Sequence, residues 1–105
     1  MVIDILNASG VQYRKTRFHK PPAGTYAVYT DDVRNDGPDG LNLIQTHEIT
    51  VELLEPTPDD ASEAALEAAM DEAGVRWEKQ DRYWLQDLQR YQVIYEFTYY
   101  TKRRI

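Results

Sequence analysis

At 105 residues, with 42% hydrophobic residues that include two Trp, eight Tyr and two Phe, the chain has the size and bulk of one domain around one core, and its composition is not that of a disordered chain. The lack of cysteine excludes disulfides and thiolate metal sites, and with them any dependence on an oxidising compartment. The net charge of -6 is divided into +3 over residues 1–30, -12 over 31–87 and +3 over 88–105; this opposes general nucleic-acid binding but lets like molecules meet positive surface to negative.

Val2 to Ser9 reads as a short helix, with Ile3 and Leu6 at i, i+3 and Gly10 just past its end. Asp4 interrupts the one N-terminal apolar stretch and no basic segment precedes it, so no signal peptide is expected; nothing along the chain approaches a membrane span. Gln12 to Phe18 is basic and only weakly alternating, the pattern of an edge strand or extended arm, and Pro21-Pro22 ends it. TYAVYT, residues 25–30, reads as a strand. DDVRNDGPDG, residues 31–40, combines aspartates with Gly-Pro and Asp-Gly turn signals and is expected to be an exposed, mobile loop.

From Leu41 or Ile44 to Leu54 a longer strand puts His47, Ile49, Val51 and Leu53 on one face and Thr46, Glu48, Thr50 and Glu52 on the other. In ASEAALEAAMDEAG, Asp60 as N-cap, Glu63 three residues on and Gly74 as stop predict a helix over 60–73. Ala65, Leu66, Ala69, Met70 and Ala73 form its apolar stripe, which places the helix against a sheet with its carboxylates toward solvent. Val75 to Arg82 and Tyr91 to Thr101 read as closing strands joined near Leu85 to Gln89. The fold class is α+β: a mainly antiparallel sheet of about four or five strands, one major helix at 60–73 and a short N-terminal helix, in one domain over 1–105.

Catalytic chemistry finds little purchase. Asp32, Asp36 and Gly37 fall at offsets one, five and six of a calcium loop, but Arg34 at offset three and Leu43 at offset twelve remove a ligand and the bidentate carboxylate. His19 and His47 have no short-range partner that would preset two metal ligands, and His47, on an apolar face, reads as a core or interface residue. GxSxG, HExxH and Gly-rich phosphate loops are missing from the sequence, and no catalytic, cofactor-binding or metal-binding residue is assigned.

The stretch QRYQVIYEFTYYTKRR is different in kind. Tyr91, Val93, Tyr95, Phe97 and Tyr99 alternate along one face as core residues, Ile94 and Tyr100 add apolar bulk to the other, and the strand runs straight into Lys102-Arg103-Arg104. Such a strand fits central burial or a subunit contact. Stacking of single-stranded nucleic acid is a third reading, weakened by the acidity of the chain.

Taken together, the short helix ending in Gly, YAVYTDD leading into an acidic loop, THEITVELLEP, EAALEAAMDEAG and YWLQDLQRYQVIYEFTYYTKR resemble a family of small tail-completion proteins of long-tailed bacteriophages and prophages. VELLEP, residues 51–56, and YQVIYEF, residues 91–97, are its most specific parts. The resemblance implies a tail-terminator or head-to-tail joining subunit that forms a hexameric ring on the end of the tail tube, without enzymatic activity or cofactor. It implies as partners further copies of the chain, the tail-tube protein and the head-completion or connector protein, with no membrane and no specific nucleic-acid binding although DNA may pass through the ring. Its place would be the host cytoplasm during assembly and then the head–tail junction of the virion. The residues expected to make contacts are Asp31, Asp32, Arg34, Asp36 and Asp39 in the acidic middle, and Tyr100, Lys102, Arg103 and Arg104 at the basic end. A small non-enzymatic adaptor or regulatory binding domain would use the same exposed aromatics on a different partner; a small hydrolase would need a pocket with convergent polar groups.

Overall fold

The computed structural model describes residues 1–36 and 42–104, with backbone alone at Asp36, Asn42, Leu43, Arg103 and Arg104. In chain order the elements are α1 (Val2–Ser9), β1 (Gln12–Lys15), β2 (Tyr26–Asp36), β3 (Asn42–Glu55), α2 (Asp60–Glu72), β4 (Trp77–Lys79), β5 (Tyr83–Leu85) and β6 (Arg90–Arg104). The six strands form one sheet in the order β1-β2-β3-β6-β4, with β5 also on β6. Every pairing is antiparallel except β1 with β2, which is parallel. The α+β class with a mostly antiparallel sheet and two helices is as the sequence reads; the sixth strand is β5, whose three residues are too few to leave a periodic signal.

Both helices lie on one face of the sheet. Val2, Ile5 and Leu6 of α1 and Leu66, Ala69 and Met70 of α2 close over Ala27, Tyr29, Ile49, Val51, Leu53, Val93, Tyr95 and Phe97. Side chains of this size contribute about 1.5–3 kcal/mol each when fully buried, and together they are the main source of stability. The helical stripe is narrower than the alanines suggest, because Ala65 is half-buried and Ala73 exposed. On the opposite face the segment after β1 folds back over the sheet: Phe18 sets its edge against Tyr26 with centroids 5.0 Å apart, and Arg90 donates to the Ala23 carbonyl at 3.0 Å.

Helix ends follow local chemistry. Gly10 takes φ 75° at the end of α1, and Gly74 takes φ 75° just past α2, a left-handed region where a Cβ is strained. The N-cap of α2 is Asp59 and not the expected Asp60. Asp59 Oδ1 accepts from the Ser62 amide at 3.0 Å, while Oδ2 accepts from the hydroxyls of Ser62 and Thr25. A capping box on Asp60 would need Glu63 to turn back toward the helix start, but Glu63 is buried and held by Arg82 and Lys79. Its burial also corrects the expectation that all the carboxylates of this helix face solvent.

Several strand boundaries differ from the sequence reading, two of them substantially. Asp31 to Asp36, expected as loop, continue β2, because β3 is long enough to pair with them residue by residue down to Ile44, and the turn-forming Gly-Pro and Asp-Gly follow only after Asp36. The rest of the expected loop, residues 37–40 with Asp39, lies outside the described residues, as does Leu41. The expected strand from Val75 to Arg82 shrinks to Trp77–Lys79, after which the chain bends to bring Arg82 over α2 and then forms β5.

Candidate functional site

The sheet is longer than the helices that cover it. Fifteen residues of β6 span about 50 Å at 3.3 Å each, close to the 49 Å length of the molecule, whereas the thirteen residues of α2 reach about 20 Å. Residues 30–36 of β2, 42–48 of β3 and 98–104 of β6 therefore project as a three-stranded wing. Val33, Ile44 and Tyr100 stand exposed there, Tyr100 at 68%. Apolar groups thus meet solvent on both faces of the wing, Val33 on one and Ile44 and Tyr100 on the other.

On the helix-side face of the wing a polar network crosses all three strands. His47 Nδ1 lies 3.1 Å from both carboxylate oxygens of Asp31, and its Nε2 lies 3.0 Å from Thr101 Oγ1. Thr101 Oγ1 is 3.3 Å from Gln45 Oε1, and Gln45 Nε2 donates to Asn35 Oδ1 at 3.0 Å. Carboxylate, imidazole and hydroxyl stand in the order of a nucleophilic triad. Here, however, the hydroxyl sits on a β-branched residue in mid-strand and also turns to Gln45. The array is a brace that ties β2 to β6 across β3. Among the described residues, no group of three or more His, Cys, Asp or Glu could hold a metal ion.

The opposite face of the sheet, on the wing and beside it, is strongly charged. Asp32 stands directly across from Glu48, and Glu78 of β4 directly across from Glu96. Like charges placed opposite repel. Arg34 offsets the first pair by reaching Glu48 at 3.2 Å, and Gln80 donates to Glu96 at 2.7 Å. An open groove of about 860 Å³ runs over this face past Thr30, Thr50, Thr98 and Tyr100.

The residues singled out from sequence thus fall into different environments. Asp31 is half-buried and engaged by His47, so it is an internal brace and not an open contact. Asp32 and Arg34 are exposed on the outer face, as is Tyr100, and Lys102 is exposed two residues beyond it. Asp36, Arg103 and Arg104 belong to the wing strands, with Asp36 and Lys102 at one level on either side of Ile44. The structure brings the acidic and basic stretches onto the same wing of one chain.

A second polar cluster left one faint trace in the sequence. The Glu55 side chain is fully buried at the end of β3; its Oε1 accepts from the Asp59 amide at 3.4 Å and faces Arg82 Nε at 3.4 Å, while Oε2 has no donor. Burial, then the hydrogen bond and charge of neighbouring Glu63, push the Glu55 carboxyl up to about 7. A proton kept on Glu55 and shared with Glu63 leaves one negative charge between them. Burial raises Glu63 too, but its hydrogen bonds with Glu55, Arg82 and Lys79 prevail and hold it below the usual range. Arg82 Nη2 donates to Glu63 at 2.7 Å, and Lys79 Nζ lies 2.9 Å from Glu63 and 2.8 Å from Glu67, whose other contact is the Tyr95 hydroxyl at 2.6 Å. These contacts clasp β4 and the link between it and β5 to α2. The only trace in the sequence is a glutamate on the apolar side of a helix, three residues before Leu66.

No protein-family model matches the chain, and no curated protein matches it in sequence. Its fold is shared with a chain from the virion of a native gene transfer agent (GTA) particle, with a TM-score of 0.64 over 94% of this chain and 84% of that one at 14% sequence identity.

Proposed function

We propose that the chain is a non-enzymatic structural subunit of a phage-like virion, a tail-terminator or head-to-tail joining protein that acts as one domain and closes into a ring, six copies in the family it resembles. The observation that carries this reading is the likeness to a virion chain across nearly the whole length. It agrees with the resemblance drawn from VELLEP and YQVIYEF. The wing adds a physical reason: a long, uncovered ribbon with exposed Tyr100, Ile44 and Val33 is built for contacts that the monomer does not make.

In this reading the subunit's partners are its own copies, the tail-tube protein on one side and the head-completion or connector protein on the other. It assembles in the host cytoplasm and resides at the head–tail junction. Among the described residues, no helix is long and apolar enough to cross a membrane. The acidic outer face, with Asp32, Glu48, Glu78 and Glu96, opposes firm binding of DNA that passes through the ring.

The test is to mix the purified protein with tubes of the tail-tube protein encoded in the same genome and image them by electron microscopy. Rings seated on tube ends are expected. Failure to associate with tubes at any concentration would remove the tail-terminator reading.

A further inference from the structure

We propose that copies of this chain join through the two bare edges of the wing, β6 of one copy pairing in parallel with β2 of the next, so that the sheet continues from subunit to subunit. The inference rests on the ring reading and names its contact. On the outer side of β2, β1 pairs only with Tyr26 to Tyr29. Along β6, β5 covers Arg90 to Gln92 and β4 covers Tyr95 to Phe97. Among the described residues, therefore, 30–36 of β2 and 98–104 of β6 have no strand on their outer sides, and the two open edges are equally long. An open edge presents unpaired N–H and C=O groups that a further strand satisfies.

Charge decides which edge meets which. In sequence the β2 edge carries Asp32 and Asp36 beside Arg34, with Asp31 already engaged by His47, while the β6 edge carries Lys102, Arg103 and Arg104 and no acid. Pairing β2 with β2, or β6 with β6, as in a twofold dimer, would bring together two edges of the same net charge. Pairing β6 with β2 opposes unlike charges, and it is head-to-tail, the kind of contact that closes a ring.

Direction follows from topology. Both β2 and β6 run antiparallel to β3, so they are parallel to each other, and a rotation about an axis near the strand direction keeps them parallel between copies. Within a copy, Arg34 and Tyr100 share a level through Thr46. Without stagger, Tyr100 of one copy meets Arg34 of the next.

Because the chain has no cysteine, introduced thiols report alone. Arg34→Cys is combined in one chain with Thr98→Cys, Tyr100→Cys or Lys102→Cys, which covers a stagger of two residues either way, and each single variant is made as well. All four positions are exposed, so folding is preserved. Within one copy the thiols lie two strands apart, roughly 9.5 Å, beyond the roughly 7 Å that a disulfide tolerates, whereas adjacent strands are about 4.8 Å apart. On mild oxidation at least one double variant is expected to give a ladder of multimers on a denaturing gel, and the single variants to stay monomeric. Dimers from the single variants would overturn the head-to-tail pairing. If wild type forms rings or caps tubes but no double variant gives a ladder, the edge pairing is wrong and the ring reading stands. A ladder that never closes supports the edges and removes the ring. Neither ladder nor assembly removes both.

Discussion

The imidazole of His47 lies flat on the ring of Tyr99, with centroids 4.5 Å apart and planes 3° from parallel. His47 thus holds β2 through Asp31 and β6 through both Tyr99 and Thr101 at a place where no helix supports the sheet. His47→Ala is expected to cost about 1 kcal/mol, the usual net worth of a hydrogen bond or two. The loss should be local. Amide exchange should quicken at residues 30–36 and 98–104, while that of Val51 and Val93 in the covered body changes little.

The buried Glu55 sets a pH dependence of unusual sign for a carboxylate. Its pKa is raised in the folded chain from an ordinary value of 4.5 to about 7, so the stability it contributes is full below 4.5 and is lost as pH rises through 7. Glu63 and Asp59 are lowered and work the other way, losing their contribution at acid pH. Glu55→Gln keeps a neutral group beside Glu63 and removes the first slope. Denaturant titrations should find wild-type stability dropping between pH 5 and 8 relative to the variant, with the variant ahead by roughly 1–3 kcal/mol at pH 8.

Capping offers a direct contrast between neighbours. Asp59→Ala is expected to cost about 1–2 kcal/mol, because it removes the cap on Ser62 and the hydrogen bond from Thr25. Asp60→Ala removes only an exposed contact to Arg82 and should cost less than about 0.5 kcal/mol. Equal effects in thermal melts would contradict the assignment of Asp59 as the cap.

What the sequence made legible tracks how local each signal is. Gly10 and Gly74, the run from His47 to Leu53 and the pair Leu66 and Met70 announce helix ends, a one-sided strand and a helix face, since each depends on a few adjacent residues. The strand character of Asp31 to Asp36 did not, because these residues are extended only by pairing with Ile44 to Ile49, a tertiary effect that overrides their loop-like composition. Glu63 misled for the same reason: its burial depends on Arg82 and Lys79 arriving from another element. Of the candidate site, Tyr100 and Lys102 were readable as the end of an amphipathic strand. The opposite roles of Asp31 and Asp32 appear only once the two faces of β2 are known.

Reversal of the basic end tests the charge argument in function. The triple variant Lys102→Glu, Arg103→Glu and Arg104→Glu should lose ring formation and tube capping, since it places acid against the aspartates of β2. Wild-type assembly should weaken as salt shortens the screening length below about 8–10 Å. Equal capping by wild type and variant, or assembly indifferent to salt, would eliminate the charged-edge mechanism.

The position of β6 between β3 and β4 has a consequence for how the protein comes to be. β3 pairs with β6 along its whole length, Glu55 with Tyr91 and Asn42 with Arg104, and α2 with β4 and β5 is synthesised in between. During translation β3 must wait, hydrophobic side chains Ile49, Val51 and Leu53 in place, with one side unsealed until a distant segment emerges. Such long-range closure is slow and leaves the nascent chain prone to pairing with its siblings. On this topology, the edge of β3 that β6 later seals is the hazard of making the chain.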